Sequence, residues 1–377
     1  MLPVTPRGFK DVLPEEARWR ERITTDVQRV LSLWGYAPIE TPTLEVLDVL
    51  EQAGTLNQTS FRLFDSDGAL LVLRPDVTLP IARMVASRLP NVSQPLRLRY
   101  VQRVFREVES LRGQAREFTQ IGIESIGMSG AVADAEVILL LVEALKACGL
   151  ERFSLAICTV GVLRDLLDIC VDEGDVDAAW RAAVLAAFHE NNLVDIETLA
   201  SSSRVDPRYG RAIRTLPGFR GGLEAIKACR ALVDPLGCTG GLDELARCYE
   251  VIERAGAGAF VTVDFSVMST FDYYTGLVFE AYAPGLGVPL GSGGRYDSTL
   301  GAFGKQAPAA GFAFVLERVM HALLGQGTVP EASGSEPAVA HIVFDEDDPA
   351  AAFLEAARFR EQGIRTVLSS GEDDGNA

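Results

Sequence analysis

The chain has 377 residues, 48% hydrophobic and 23% charged, which excludes a disordered or fibrous chain and predicts a folded protein of two or three domains. Its formal charge of −17 argues against nonspecific binding to nucleic-acid backbones, whose affinity rests on lysine and arginine. Six cysteines without a CxxC pair speak against a disulfide scaffold or zinc site, so a reduced, cytoplasmic protein is expected; separately, no metal and no cofactor are expected.

The opening MLPVTPRGFKDVLPEE lacks the apolar core of a signal peptide. From Pro14 to Trp34, apolar residues recur at Trp19, Ile23, Val27, Val30, Leu31 and Trp34, the spacing of a helix with one buried stripe. YAPIETP and FRLFDSDGALLVLR read as strands, with DSDG as a hairpin turn. In LRPDVTLPIAR an acid and a hydroxyl stand two apart, suited to an ammonium group or, as a lone motif, to a helix cap. LRLRYVQRVFRE and REFTQIGIESIG predict an antiparallel pair, followed by a helix over residues 132 to 148. The apolar stretch AVADAEVILLLVEALKACGL carries Asp134, Glu136, Glu143 and Lys146, so it predicts an amphipathic core helix and no membrane span.

After the strand FSLAIC, alanine- and leucine-rich sequence broken at SSSRVDPRYG and LPGFRGG predicts a helical insert. Strands resume at FVTVDF, TGLVFEAYA and GFAFV, then a helix at ERVMHALLG. The linker GQGTVPEASGSEPA leads to a strand, a helix and a strand at AHIVF, PAAAFLEAARFREQG and IRTVLSS. The acidic runs FDEDD and GEDDGNA read as solvated. Together these predict an α+β fold, an antiparallel sheet flanked by helices. Residues 1–170 and 259–325 form the core, 171–258 a mostly helical insertion, and 326–377 a linker with a short βαβ tail.

Strand alternation turns Arg116, Phe118, Gln120, Gly122 and Glu124 to one face and Thr119, Ile121 and Ile123 to the other. Gly122 leaves room between two polar groups. A strand starting at Asp272 puts Tyr274, Gly276, Val278 and Glu280 on one face and Tyr273 on the other, so only one of the two tyrosines is expected to line a given pocket. PLGSGGRYDSTLGAFG is glycine-rich but matches neither GxGxxG nor GxxxxGK[ST], a weak nucleotide signal.

In order along the chain, these motifs resemble the catalytic core of the class II aminoacyl-tRNA synthetases, and within it the histidyl type. PRGFKDVLP resembles the family's opening, WGYAPIETP the first class motif, YVQRVFREVESLRGQAREFTQIGIESIG the second and AAGFAFVLERV the third. FDYYTGLVFE and GSGGRYDSTL resemble the two histidine-specific signatures. The resemblance implies a histidine pocket. Asp76, Thr78 and Gln120 would take the α-amino group, and Glu124, Tyr274 and Tyr296 the imidazole, with Tyr273 beside them. Arg106, Arg116 and Arg318 would be residual ATP-site or anion-binding residues. The resemblance also implies a self-dimer through the first class motif.

The sequence departs from the family where transfer chemistry is done. The arginine expected three residues before Asp272 is Ser269, and adenylyl transfer depends on such a cation. A glutamate is replaced by Val108, an arginine by Gln114 and a glycine by Val315. The anticodon-binding domain is reduced to its opening strand–helix–strand, so no tRNA is expected. That combination resembles the non-catalytic paralogues that serve as the regulatory subunit of ATP phosphoribosyltransferase, not themselves enzymes. It implies a short-form catalytic subunit as partner in a hetero-octamer, L-histidine as effector, and no catalytic residues here. The other readings are a histidyl-tRNA synthetase with Arg116 or Arg295 as a displaced cation, another amino-acid ligase, and a scaffold with a relic pocket.

Overall fold

The structure is a computed structural model; it describes residues 4–53, 60–89, 95–107, 115–174, 176–267, 273–328, 339–344 and 349–370. In chain order, α1 (Pro14–Leu33) leads into β1 (Ala37–Pro38), β2 (Leu44–Val46) and the short α2 (Leu47–Leu50). The hairpin β3 (Arg62–Phe64) and β4 (Leu70–Leu73) precedes α3 (Thr78–Arg88). The long pair β5 (Leu96–Phe105) and β6 (Glu117–Ile126) is followed by α4 (Ala131–Ala147), β7 (Ser154–Thr159) and α5 (Gly161–Glu173). Next come α6 (Ala178–His189), α7 (Leu193–Ala200), α8 (Pro207–Thr215), β8 (Arg220–Gly221), α9 (Leu223–Val233) and α10 (Leu242–Arg254). Strands β9 (Val261–Asp264), β10 (Leu277–Tyr282), β11 (Gly291–Arg295) and β12 (Ala309–Val315), with α11 (Leu316–Gly325), complete this part.

Among the described residues, nine strands form the main sheet in the order β1-β5-β6-β12-β11-β10-β7-β9-β8. The fold is α+β, as the sequence predicts. Its centre, β5 to β7, is antiparallel as the sequence predicts, but β1 pairs parallel with β5 and β9 parallel with β7. Both exceptions lie towards the sheet's edges, where the chain arrives after an intervening helix instead of a tight turn. The small sheet β2-β4-β3 stands apart. Its hairpin turns at Gly68, whose φ of 90° suits glycine, with the Asp65 N–H bonded to the Ala69 carbonyl at 2.9 Å.

Pro14 at the first turn of α1, with Glu15 and Glu16 beside it, starts the helix where a missing N–H costs nothing and acids meet the positive helix end. Its stripe of Ile23, Val27 and Leu31 is buried against α4 and β5 of the same chain. Helix α4 is the expected core helix, with Glu143 and Lys146 exposed on its outer side. Ala133, Val137, Leu140, Leu141 and Leu145 are buried on a broad inner face, because it is wedged between the sheet and the helices α1 and α10. Its one buried acid, Asp134, is neutralised by Arg295.

The chain divides into two compact units at Gly327. In the second, β13 (Val339–Phe344) and β14 (Arg365–Ser370) pair in parallel. Helix α12 (Pro349–Glu361) covers one face of that pair through Ala352 and Ala356 against Ile342. The acidic runs FDEDD and GEDDGNA fall mostly outside the described residues.

Candidate functional site

Strand β6 supplies one wall of a pocket, with the alternation read from the sequence. Ile121 and Ile123 point into the core, fully buried, while Gln120 and Glu124 point the other way, 7% and 1% exposed. Glu124 accepts from the Thr78 hydroxyl at 2.8 Å and from the Tyr296 phenol. Burial pushes its carboxyl up to about 8, with those donors offsetting part of the cost and the Asp76 charge adding to it. Gln120 Oε1 is buried with no hydrogen-bond partner, an orphan acceptor that a ligand donor would satisfy.

Asp76 acts as the helix cap and also faces the pocket. Its Oδ1 caps α3 by accepting the Leu79 N–H at 3.0 Å, and its side chain also lines the pocket. Burial raises its carboxyl, opposed by the nearby Arg106. Arg106 donates to the Pro75 carbonyl at 2.9 Å and lies 4.9 Å over the Phe118 ring. Burial lowers its guanidinium to about 10. Arg318 donates to the Pro289 carbonyl at 2.7 Å. Both arginines line the pocket, and each donates to a backbone carbonyl.

Tyr273 and Tyr274 both line the pocket, which corrects the expectation that only one does. The strand begins at Leu277, so the two tyrosines lie in the preceding turn and are free of its alternation. Tyr273 packs 4.8 Å from Tyr274 and edge-on to Tyr296 at 5.9 Å. The Tyr274 carbonyl accepts from Arg164 of α5 at 2.8 Å.

The glycines make this packing possible. A side chain at Gly311 would strike the Glu124 carboxylate, and one at Gly294 would meet the Tyr274 ring at 2.7 Å. The gap at Gly122 is taken by the Phe312 carbonyl and by the Tyr100 phenol from β5, opposite it in register. Gly122 thus admits a neighbouring side chain and leaves the ligand no extra room. Within the glycine-rich stretch, Gly291–Arg295 is strand β11. What remains is a cavity of about 80 Å³, room for a few waters and far below the ~300 Å³ at which small-molecule sites begin.

Arg116 is not brought to this pocket. Its guanidinium lies 4.3 Å over the Phe61 ring and donates to the Arg7 carbonyl and to Glu107. Arg295 faces the opposite side of the sheet, bound to Asp134 and Asp297. Neither arginine proposed as a displaced cation therefore lines the pocket. Ser269, Val108 and Gln114 lie outside the described residues. Val315 does line the pocket, across from Gln120 in register. Sequence reasoning missed Tyr100, Arg164 and Gly311, because strand register and the docking of α5 set their positions. Among the described residues no group of three or more His, Cys, Asp or Glu is placed to hold a metal.

The family model described as histidyl-tRNA synthetase matches residues 8–319. An ATP phosphoribosyltransferase regulatory subunit of Halalkalibacterium halodurans is 39% identical over 85% of this chain and 80% of its own length. One from Moorella thermoacetica is 36% identical over 96% of this chain and 91% of its own. A crystal structure from Bacillus halodurans, described as an ATP phosphoribosyltransferase regulatory subunit/histidyl-tRNA synthetase, superposes with a TM-score of 0.87 at 34% identity. It covers all of this chain and 95% of the other.

Proposed function

The chain belongs to the histidyl-tRNA synthetase family, among the ATP phosphoribosyltransferase regulatory subunits, and from that premise we propose that it is a sensor of free L-histidine that carries no transfer activity of its own. The observation that carries this reading is the chemistry of the pocket wall. Asp76 and the orphan Gln120 Oε1 suit an ammonium group, Arg106 and Arg318 a carboxylate, and Glu124 with Tyr296 an imidazole needing both a donor and an acceptor. Arg116 plays no part in it.

Histidine acts here as effector of a short-form catalytic subunit, where the transferase chemistry of histidine biosynthesis resides, in a hetero-octamer. In the closed pocket, about 80 Å³ in volume, Glu124 is already occupied by Thr78 and Tyr296. A ligand displaces those contacts and favours a second arrangement, and feedback inhibition follows from that difference. A coupling of about 1–3 kcal/mol is the usual size. Self-association through the first class motif is part of this reading. The stripe of α1 is used within its own chain, and the small sheet, outside that motif, adds an exposed apolar surface at Leu63, 43% exposed, and Phe64, 79% exposed. The reading places the protein in the cytoplasm. Among the described residues no helix is long and apolar enough to cross a membrane. The negative charge supports the absence of a tRNA partner.

The test is calorimetry of the purified chain with histidine, with and without ATP. The expected outcome is saturable histidine binding, lost in Glu124→Ala, with no aminoacyl-adenylate formed. Histidine-dependent exchange of pyrophosphate into ATP would establish the synthetase instead.

A further inference from the structure

Arg295 and Asp297 flank Tyr296, and alternation at the end of β11 sends them to the face opposite the pocket. There the Arg295 side chain, 8% exposed, donates from Nε at 2.9 Å and from Nη2 at 2.6 Å to Asp134 Oδ1. Its Nη1 donates to Asp297 Oδ1 at 2.9 Å and to the Met128 carbonyl at 3.2 Å. Asp297 Oδ1 also accepts the Ala309 N–H at 3.0 Å, and the Asp297 N–H donates to Thr275 Oγ1 at 3.0 Å. The Thr275 N–H in turn donates to the Arg295 carbonyl at 2.7 Å. One charge cluster therefore stitches the strand end that carries Tyr296 to the turn that carries Tyr274. A cavity of about 410 Å³ opens onto this cluster, with Glu244 and Leu245 of α10 also lining it.

Buried ion pairs are often no better for stability than packed apolar groups, and their best-attested use is to fix register. Register matters here, because the Tyr296 phenol must reach across β12 to Glu124 on β6, and a hydrogen bond fails with a displacement of about 1 Å. We propose that Arg295, held by Asp134 and Asp297, is a positioning residue that sets Tyr296 and Tyr274 in the pocket from the opposite face of the sheet. The inference deepens the histidine-sensor reading and rests on it for the identity of the ligand.

The experiment is a carboxyl ¹³C titration of Glu124 in the full chain. The parent is compared with Tyr296→Phe, Arg295→Lys, Asp134→Asn and the double variants that combine each charge change with Tyr296→Phe. Asp76, Thr78, Tyr100 and Tyr296 are the groups that surround this carboxyl. Loss of the phenol donor in Tyr296→Phe moves the Glu124 titration to higher pH. Arg295→Lys, which keeps the charge but loses the fork, is expected to move it the same way, and the double variant no further than Tyr296→Phe alone. Asp134→Asn gives the same answer if Arg295→Lys does not fold. Titration at the parental pH in both variants, or shifts that add to that of Tyr296→Phe, overturns the proposal. Histidine affinity in the same samples is expected to fall about tenfold, and parental affinity also overturns it. Failure of the parent to take up histidine would sink the sensor reading, whereas the carboxyl titration still decides the role of Arg295.

Discussion

At Glu124 the cost of burial is set against two donors, and burial prevails. The carboxyl sits at about 8, against 4.5 for an ordinary glutamate. Between those values the folded chain holds a proton that the unfolded chain has released, so this residue's contribution to stability falls as pH rises from about 4.5 to about 8 and is flat above. The slope is at most about 1.4 kcal/mol per pH unit. Urea unfolding at pH 5, 6, 7 and 8 should show a steeper loss in the parent than in Glu124→Gln, and parallel curves would contradict it. The face of Glu124 and Gln120 was legible in the sequence, since alternation of polar and apolar residues needs no partner strand to be read. The placing of Tyr273 was not legible, because it depends on where the strand starts, and pairing with β7 and β11 decides that.

The elements around the pocket are held at distances only glycine allows. Gly311 of β12 faces the Glu124 carboxylate so closely that Gly311→Ala must push that side chain aside. The expected outcome is a loss of about 1–3 kcal/mol in stability with histidine affinity reduced at least tenfold, read by thermal melts and calorimetry. Gly294→Ala should behave alike through the Tyr274 ring. The sequence marks these glycines as unusual for strands but not what they make room for. At Gly122 the neighbour is Tyr100, brought there by a register no single strand reveals. The stripe of α1 was equally legible as a stripe, while its use against α4 within the chain is a tertiary fact.

At the scale of the molecule, two units have separate cores, the larger one running from Ile23 to Leu323 and the smaller holding Ile342, Ala352 and Ala356. A chain ending at Gly327 is expected to stay folded, melting within about 5 °C of the full chain, and to keep its histidine affinity. Loss of cooperative melting would refute the independence of the larger unit. Phe64→Glu is expected to weaken self-association in sedimentation experiments without lowering the melting temperature, since the ring is 79% exposed. By itself the sequence determined the α+β class, the family and the polar face of β6, because periodicity and motif order are local and survive without neighbours. Only the tertiary structure decided that both tyrosines enter the pocket, that Arg116 and Arg295 stay out of it, and that Arg295 pairs with Asp134 behind the sheet. Those outcomes depend on register and on helix docking across more than a hundred residues of chain, where a single residue's shift would turn each side chain to the other face.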